Sequence, residues 1–178
     1  MCSTRSREQE FTRLYEEHRP AVYAFLLGRA GDPETARDLL QDAFLRAWRH
    51  LDAVCELPAD RRQAWLFAVA RNLVIDVRRS QATRRAAQEA LERSASPDVA
   101  PSGDEPPARA EAAERLRALE AAIRNLPEPL RVALSMCTVG GLTSAEAGEL
   151  LGEPAGTIRY RLSEARRRLA GALEEVGA

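Results

Sequence analysis

Arginine dominates the residues able to do chemistry in this chain, and near its end the arginines are spaced to meet nucleic acid. Leu162, Ala165 and Leu169 fall within about 40° of Ile158 at 100° per residue, a narrow apolar stripe of helical period. Arg159, Tyr160, Ser163, Arg166 and Arg167 fall on the other side, with Thr157 just ahead of them. Guanidinium forks match phosphate oxygens and guanine edges, and hydroxyls bond to either. Farther upstream, Trp65, Asn72, Asp76 and Arg79 fall within about 60° of one another on a helical wheel, beside Arg71 and Arg78. An aromatic plane to stack on, an amide for base edges and cations for phosphate suit unstacked bases. A plainer reading of that stripe makes Trp65 a core residue and pairs Asp76 with Arg79.

A third cluster surrounds Leu45. On a helix whose core face is Ala36, Leu39, Leu40, Ala43, Phe44, Ala47 and Leu51, Leu45 points the opposite way, flanked by Asp38, Gln41, Asp42 and Arg49. A leucine among acids on a solvent face is a docking surface for a basic protein, although a lone exposed leucine is also ordinary. Nothing resembles a catalytic constellation. His18 and His50 are the only histidines, neither stands in a Ser/Asp or HExxH arrangement, and no glycine-rich phosphate loop occurs. Both histidines read as solvent-exposed. Cys2, Cys55 and Cys137 match no metal-ligand spacing and read as reduced thiols. The expectation is therefore binding rather than catalysis, with no cofactor and no metal.

These residues need helices to position them. Thr143-Ser144-Ala145-Glu146 has the capping-box pattern, in which a hydroxyl and a carboxylate satisfy each other's orphan amides. Ala147, Leu150 and Leu151 give the helix that follows an apolar face. Gly152 suits its end and Pro154 the first position of the next helix, so a turn is expected at Gly152-Glu153. Glu146, Glu149 and Glu153 precede that turn, and Arg159, Arg161, Arg166, Arg167 and Arg168 follow it. This is the sequence form of a helix-turn-helix, with only the second helix dressed for DNA.

The N-terminal part reads as three helices. The first covers residues 10–29, with Phe11, Leu14, Tyr15, Val22, Phe25 and Leu26 apolar and Pro20 as a kink or break. The second begins at Asp32-Pro33-Glu34, which supplies N-cap, first-turn proline and acidic first turn. A loop at residues 50–62 leads to the third, residues 63–79. Beyond Leu91 apolar periodicity fades into Ser94-Ala95-Ser96-Pro97 and Pro101-Ser102-Gly103-Asp104-Glu105-Pro106-Pro107. The fold class expected is all-α: two small helical domains, residues 1–80 and 111–178, joined by a flexible linker at 81–110. Such a linker spans roughly 30 Å as a coil and roughly 100 Å when stretched.

The 178 residues are 45% hydrophobic and carry 26 basic against 27 acidic side chains, for a net charge of −1. Lysine is absent. A near-neutral chain with one basic helix should bind bare DNA weakly, because counterion release scales with the phosphates neutralised, so a partner must supply further affinity. No apolar run approaches the ~18 residues of a membrane span, and the N-terminus has no signal-peptide core. The chain is expected to be cytoplasmic, without membrane insertion.

Two motif blocks then resemble one family. Asp38-Leu39-Leu40-Gln41-Asp42-Ala43-Phe44-Leu45-Arg46-Ala47-Trp48, with Trp65-Leu66-Phe67-Ala68-Val69-Ala70-Arg71-Asn72 and Asp76-Val77-Arg78-Arg79, resembles region 2 of bacterial sigma factors. Leu126-Pro127-Glu128-Pro129-Leu130-Arg131, Gly141-Leu142-Thr143 and Gly156-Thr157-Ile158-Arg159-Tyr160-Arg161-Leu162-Ser163-Glu164-Ala165-Arg166 resembles their region 4. The two-domain form is similar to the extracytoplasmic-function (ECF) group.

The resemblance implies a specificity subunit of RNA polymerase. Asp38, Gln41, Asp42, Leu45 and Arg49 would dock on the clamp helices of the largest catalytic subunit, and region 4 would reach the flap region. Trp65, Arg71, Asn72, Asp76, Arg78 and Arg79 would open the minus-ten promoter element and hold a flipped base, whose unstacking costs a few kcal/mol. Thr157, Arg159, Tyr160 and Ser163 would read the minus-thirty-five element, with Arg166 and Arg167 on phosphates. The linker would thread polymerase channels, and an anti-sigma factor would cover the binding faces. Ser144, Ala147-Gly148 and Glu164 depart from the usual pattern, and Gly148 inside a helix costs roughly 1 kcal/mol relative to alanine. The alternative is a stand-alone helix-turn-helix regulator that binds duplex DNA without polymerase.

Overall fold

The computed structural model describes the backbone of residues 4–91 and 107–176, with side chains at 7–59, 61–80 and 116–172. All elements among them are helices: α1 (Thr4–Ala30), α2 (Pro33–Arg49), α3 (Leu51–Glu56), α4 (Ala59–Leu91), α5 (Pro107–Asn125), α6 (Glu128–Thr138), α7 (Ser144–Leu151) and α8 (Ala155–Val176). The all-α expectation holds.

Helix α2 starts as its sequence dictates. The Asp32 carboxylate accepts a hydrogen bond from the Thr35 amide at 2.8 Å; the Thr35 side chain and then that amide hold the carboxyl below its ordinary value, and Pro33 supplies the first turn. Ala36, Leu39, Leu40, Ala43, Phe44 and Ala47 are buried, the whole expected face short of its last residue. Leu51 is buried too, but from the next helix. Helix α1 supplies Leu14, Val22, Phe25 and Leu26 to the same core, and α4 supplies Leu66, Phe67, Ala70, Leu73 and Val74.

Several sequence expectations are corrected. Pro20 lies inside α1 without breaking it. Its missing N–H and ring clash cost about 3 kcal/mol in a helix interior, and the burial of Ala21, Val22, Phe25 and Leu26 just beyond it offsets that cost. His18 is buried, at 5% exposure, because it shares the inward face of α1 with Leu14 and Ala21. Burial lowers its pKa, with Arg62 adding to the effect and Glu17 opposing it. His50 is exposed as expected. The loop at 50–62 contains α3, formed because Leu51 and Val54, three residues apart, both reach the core. Arg62 then fastens the turn, donating from Nε to the Leu57 carbonyl at 2.8 Å and from Nη2 to the Cys55 carbonyl at 2.6 Å.

Helix α4 starts at Ala59 and continues through residues 81–91, and α5 starts at Pro107, so both ends of the expected 81–110 linker are helical. Residues 92–106 lie outside the described residues, and with them the linker motifs short of Pro107; Cys2 lies outside them too.

Helix α6 is buried on nearly every side, which the narrow stripes elsewhere do not show. Val132, Ala133 and Met136 join the core built by α1, α2 and α4. Leu126 and then Leu130 and Leu134 meet Ala165 of α8, with Leu162 and Leu169 packed alongside. A helix apolar all round belongs between two layers, and α6 sits between α1 and α8.

Candidate nucleic-acid interface

The helix-turn-helix is built from local signals. Thr143 Oγ1 accepts from the Glu146 amide at 3.3 Å, while a Glu146 carboxylate oxygen accepts from the Thr143 amide at 2.8 Å. The Thr143 hydroxyl, donating to the same Glu146 oxygen at 2.7 Å, and then the Thr143 amide hold the Glu146 carboxyl below its ordinary value. Gly152 ends α7 in the left-handed region at φ 71°, where glycine carries no Cβ penalty. Pro154 lies one residue ahead of α8 rather than at its first position, and its carbonyl accepts from the Thr157 and Ile158 amides. Glu153 and Arg161 pair across the turn at 2.7 Å.

Gly148, an apparent weakness in the sequence, has a steric reason. A Cβ there would lie 2.5 Å from the Glu153 carbonyl oxygen, so only glycine lets α7 approach the turn this closely.

Along α8, Ile158 and Ala165 are fully buried and Leu162 and Leu169 half-buried. Arg159, Ser163, Arg166 and Arg167 are exposed, Tyr160 is 70% exposed and Thr157 is half-buried. These residues form one open polar face. Glu164 modifies it: Arg167 donates from Nε and Nη2 to the two Glu164 oxygens at 2.9 and 2.7 Å, and Arg168 donates from Nε at 2.8 Å. Those bonds, led by Arg167, pull the Glu164 carboxyl down to about 2. Two of the helix's arginines are thus partly neutralised within it.

On α4 the stripe Trp65, Asn72, Asp76 and Arg79 spans about 21 Å at 1.5 Å per residue. Asn72, Asp76 and Arg79 are exposed, while Trp65 is half-buried with its ring 6.4 Å from that of His50. Arg71 and Arg78 flank the stripe, and both face the C-terminal half. Arg78 Nη2 donates to Glu128 Oε2 at 2.6 Å and to the Arg29 carbonyl at 3.0 Å, and Arg29 Nη1 donates to the other Glu128 oxygen. Burial alone would raise the Glu128 carboxyl, but the Arg78 and Arg29 hydrogen bonds outweigh it and hold the group below its ordinary value. Glu128 and Arg29 had no site role in the sequence reading, since only the fold brings them to Arg78.

Around Leu45, itself 45% exposed, Asp38, Gln41, Asp42 and Arg49 are all exposed. The structure adds a groove of about 680 Å³ beside Leu45 and Gln41, floored by Phe11, Tyr15, Tyr23, Leu40 and Phe44. Phe44 meets Tyr15 and Phe11 edge to face, with Tyr15 and Phe44 centroids 4.7 Å apart. The signal for this groove was the aromatic run on α1, which reads as plain core in a wheel.

Cys55 and Cys137 are half-buried, and burial pushes the Cys137 thiol up. Among the described residues no group of His, Cys, Asp and Glu could hold a metal ion. No helix among them is long and apolar enough to cross a membrane.

Comparison with known proteins gives consistent matches. Residues 14–84 match the family Sigma-70 region 2, and residues 116–169 match Sigma-70, region 4. The ECF RNA polymerase sigma factor SigL of Mycobacterium tuberculosis is 34% identical over 164 residues, covering 92% of this chain and 89% of the relative. SigM of Bacillus subtilis, another ECF RNA polymerase sigma factor, is 30% identical over 156 residues, covering 88% of this chain and 90% of the relative. Among solved structures, the sigma factor RpoE of Bartonella quintana, in complex with the anti-sigma factor NepR, superposes with a TM-score of 0.63 at 25% identity, over 93% of this chain and 98% of that one. CnrH, in complex with the cytosolic domain of CnrY, shares the fold with a TM-score of 0.56 at 22% identity, over 93% of this chain and 88% of that one.

Proposed function

Because this chain belongs to the sigma-70 family of RNA polymerase sigma factors, in the ECF group, we propose that three of its faces divide the steps of initiation. It is a subunit that directs polymerase to promoters, and it acts by binding. The α2 face of Asp38, Gln41, Asp42, Leu45 and Arg49 docks on the clamp helices of the core enzyme. The α4 face of Trp65, Arg71, Asn72, Asp76, Arg78 and Arg79 opens the minus-ten element. The α8 face of Thr157, Arg159, Tyr160, Ser163, Arg166 and Arg167 reads the minus-thirty-five element, with region 4 resting against the flap. The chain works in the cytoplasm, where polymerase and promoter meet. An anti-sigma factor is a fitting partner, since the Bartonella relative is a sigma factor in complex with one.

The observation that carries the division of labour is the open polar face of α8, with Ile158 and Ala165 buried behind it, on a chain whose α2 leaves Leu45 exposed among acids. Run-off transcription by core polymerase on a pool of genomic promoter fragments tests it. Discrete transcripts that need this protein support the assignment; a specific duplex footprint without polymerase, and no transcripts, would return the stand-alone regulator.

Two expected results separate the DNA faces. Asn72→Ala should slow strand opening, read as permanganate reactivity of the promoter, about ten-fold with holoenzyme assembly unchanged, since one base–side-chain contact contributes ~1–3 kcal/mol. Equal loss of both would make Asn72 structural. Arg166→Ala should weaken binding uniformly across promoters and lower the salt slope by about 1, as a phosphate contact does. Loss confined to particular promoter sequences would move Arg166 to base readout.

A further inference from the structure

We propose that Glu164 is a positioning residue that holds Arg167 and Arg168 off the DNA, so that α8 grips the promoter backbone from one side of the groove only, the flank of Arg159 and Arg166. The inference rests on the reading of α8 as the minus-thirty-five helix, and goes beyond it by dividing that helix's arginines.

The division follows from the helical wheel and the ion pairs together. With the buried Ile158 as zero, Arg159 and Arg166 stand at about +100° and +80°, and Arg168 and Arg161 at about −80° and −60°. Arg167 stands on the crest at about 180°, and Glu164 at about −120° lies between it and Arg168. The arginines from the crest round the negative flank all have a carboxylate. Glu164 takes Arg167 at 2.7 Å and Arg168 at 2.8 Å, and Glu153 takes Arg161 at 2.7 Å. Among the described residues, neither Arg159 nor Arg166 pairs with one.

What Glu164 occupies is the phosphate-binding edge of its partner. Arg167 presents Nε and Nη2 to the two Glu164 oxygens, the same parallel pair of donors that a guanidinium offers a phosphate. Arg168 Nε shares the oxygen already taken by Arg167 Nη2, so one carboxylate serves both. The Glu164 side chain is 16% exposed against 74% for Arg167, so the acid is covered while the guanidinium it holds stays in solvent. The hydrogen bonds from Arg167 and Arg168 draw its carboxyl down to about 2, so the negative charge is present at any pH near neutrality.

Exposed ion pairs are individually weak, and a phosphate could draw Arg167 off its partner. That exchange leaves the Glu164 carboxylate beside the phosphates with one partner fewer, so a backbone strand approaching from this flank is opposed in either arrangement. Arg159 and Arg166 need no such exchange. A helix in the major groove has a backbone strand on each side, and only one of them is then gripped. Phosphate contacts carry no sequence information, so withholding two arginines lowers the hold on duplex of any sequence. Tyr160 and Ser163 supply a larger share of the binding that remains. Glu164, one of the positions at which this chain departs from the region 4 pattern, thereby acquires a role.

Holoenzyme bound to a promoter recovered from run-off transcription tests this, with Glu164→Gln compared with Glu149→Gln, which removes an exposed carboxylate from α7 instead. Ethylation interference maps the phosphate contacts on each strand of the minus-thirty-five element. In the parent they should fall on one strand. Glu164→Gln should add contacts on the other strand, bind about ten-fold more tightly at 0.1 M salt and steepen the salt slope by about 1. Glu149→Gln should change the affinity less than about two-fold, because an exposed charge without a partner on α8 is screened. Equal gains in both variants, or no gain in Glu164→Gln, overturn the holding role. Looser binding in Glu164→Gln overturns it too, by showing that Glu164 serves the fold of α8. Contacts on both strands in the parent overturn the one-sided grip and leave α8 on the DNA; no contacts at the element in the parent or either variant remove the minus-thirty-five reading as well.

Discussion

Leu45→Arg is expected to weaken binding to core polymerase about 100-fold or more, the scale reached when a central apolar anchor of an interface is lost and a charge is put in its place. Leu45 is 45% exposed, in a ring formed by Asp38, Gln41, Asp42 and Arg49, and borders the aromatic groove between α1 and α2. Its side chain already faces water, so the substitution should change folding stability by no more than about 0.5 kcal/mol. Titration of labelled core enzyme reads the affinity, and urea unfolding reads the stability. Unchanged affinity would remove the docking surface; a large loss of stability would show that Leu45 belongs to the core.

The neighbouring residue is expected to behave in the reverse way. Phe44→Ala should cost about 3–5 kcal/mol of folding free energy, a large part of the ~5–15 kcal/mol that holds a domain together. Phe44 is 3% exposed, and its ring meets Tyr15 at 4.7 Å and Phe11 at 6.3 Å between centroids, so truncation removes edge-to-face contacts and leaves a cavity. For a chain of this length the melting temperature should fall by roughly 6–20 °C, measured by circular dichroism. A loss below ~1 kcal/mol would mean that the groove collapses freely around the missing ring. One step along α2 turns a side chain by about 100°, and that rotation separates a residue that holds the fold from one that presents it.

The same rotation explains why so much was legible in the sequence. The inward face of α2, the Asp32 and Thr143 caps, the Gly152 turn and the apolar stripe of α8 each depend on residues one to four positions apart, and each appears where periodicity placed it. The exposure of Leu45, Asn72, Arg159 and Tyr160 follows from those faces. Where reading failed, the deciding partner was distant. His18 looked polar and exposed, but its place on the inward face of α1 buries it. Pro20 looked like a break, and the apolar residues after it carry α1 through. Residues 81–91 looked like linker, and they continue α4.

Local sequence thus determined this protein's helices, their caps, the helix-turn-helix and which side chains most helices leave exposed, because those properties arise within one or two helical turns. Only the tertiary structure decided that Gly28 lies against Val132, that Gly148 must be glycine, and that Glu128 takes both Arg29 and Arg78, partners 99 and 50 positions away. Contacts of that kind depend on how helices dock, through close approach of backbones and matched charge at the rim of a shared core, and the period of a single helix carries no record of its neighbour.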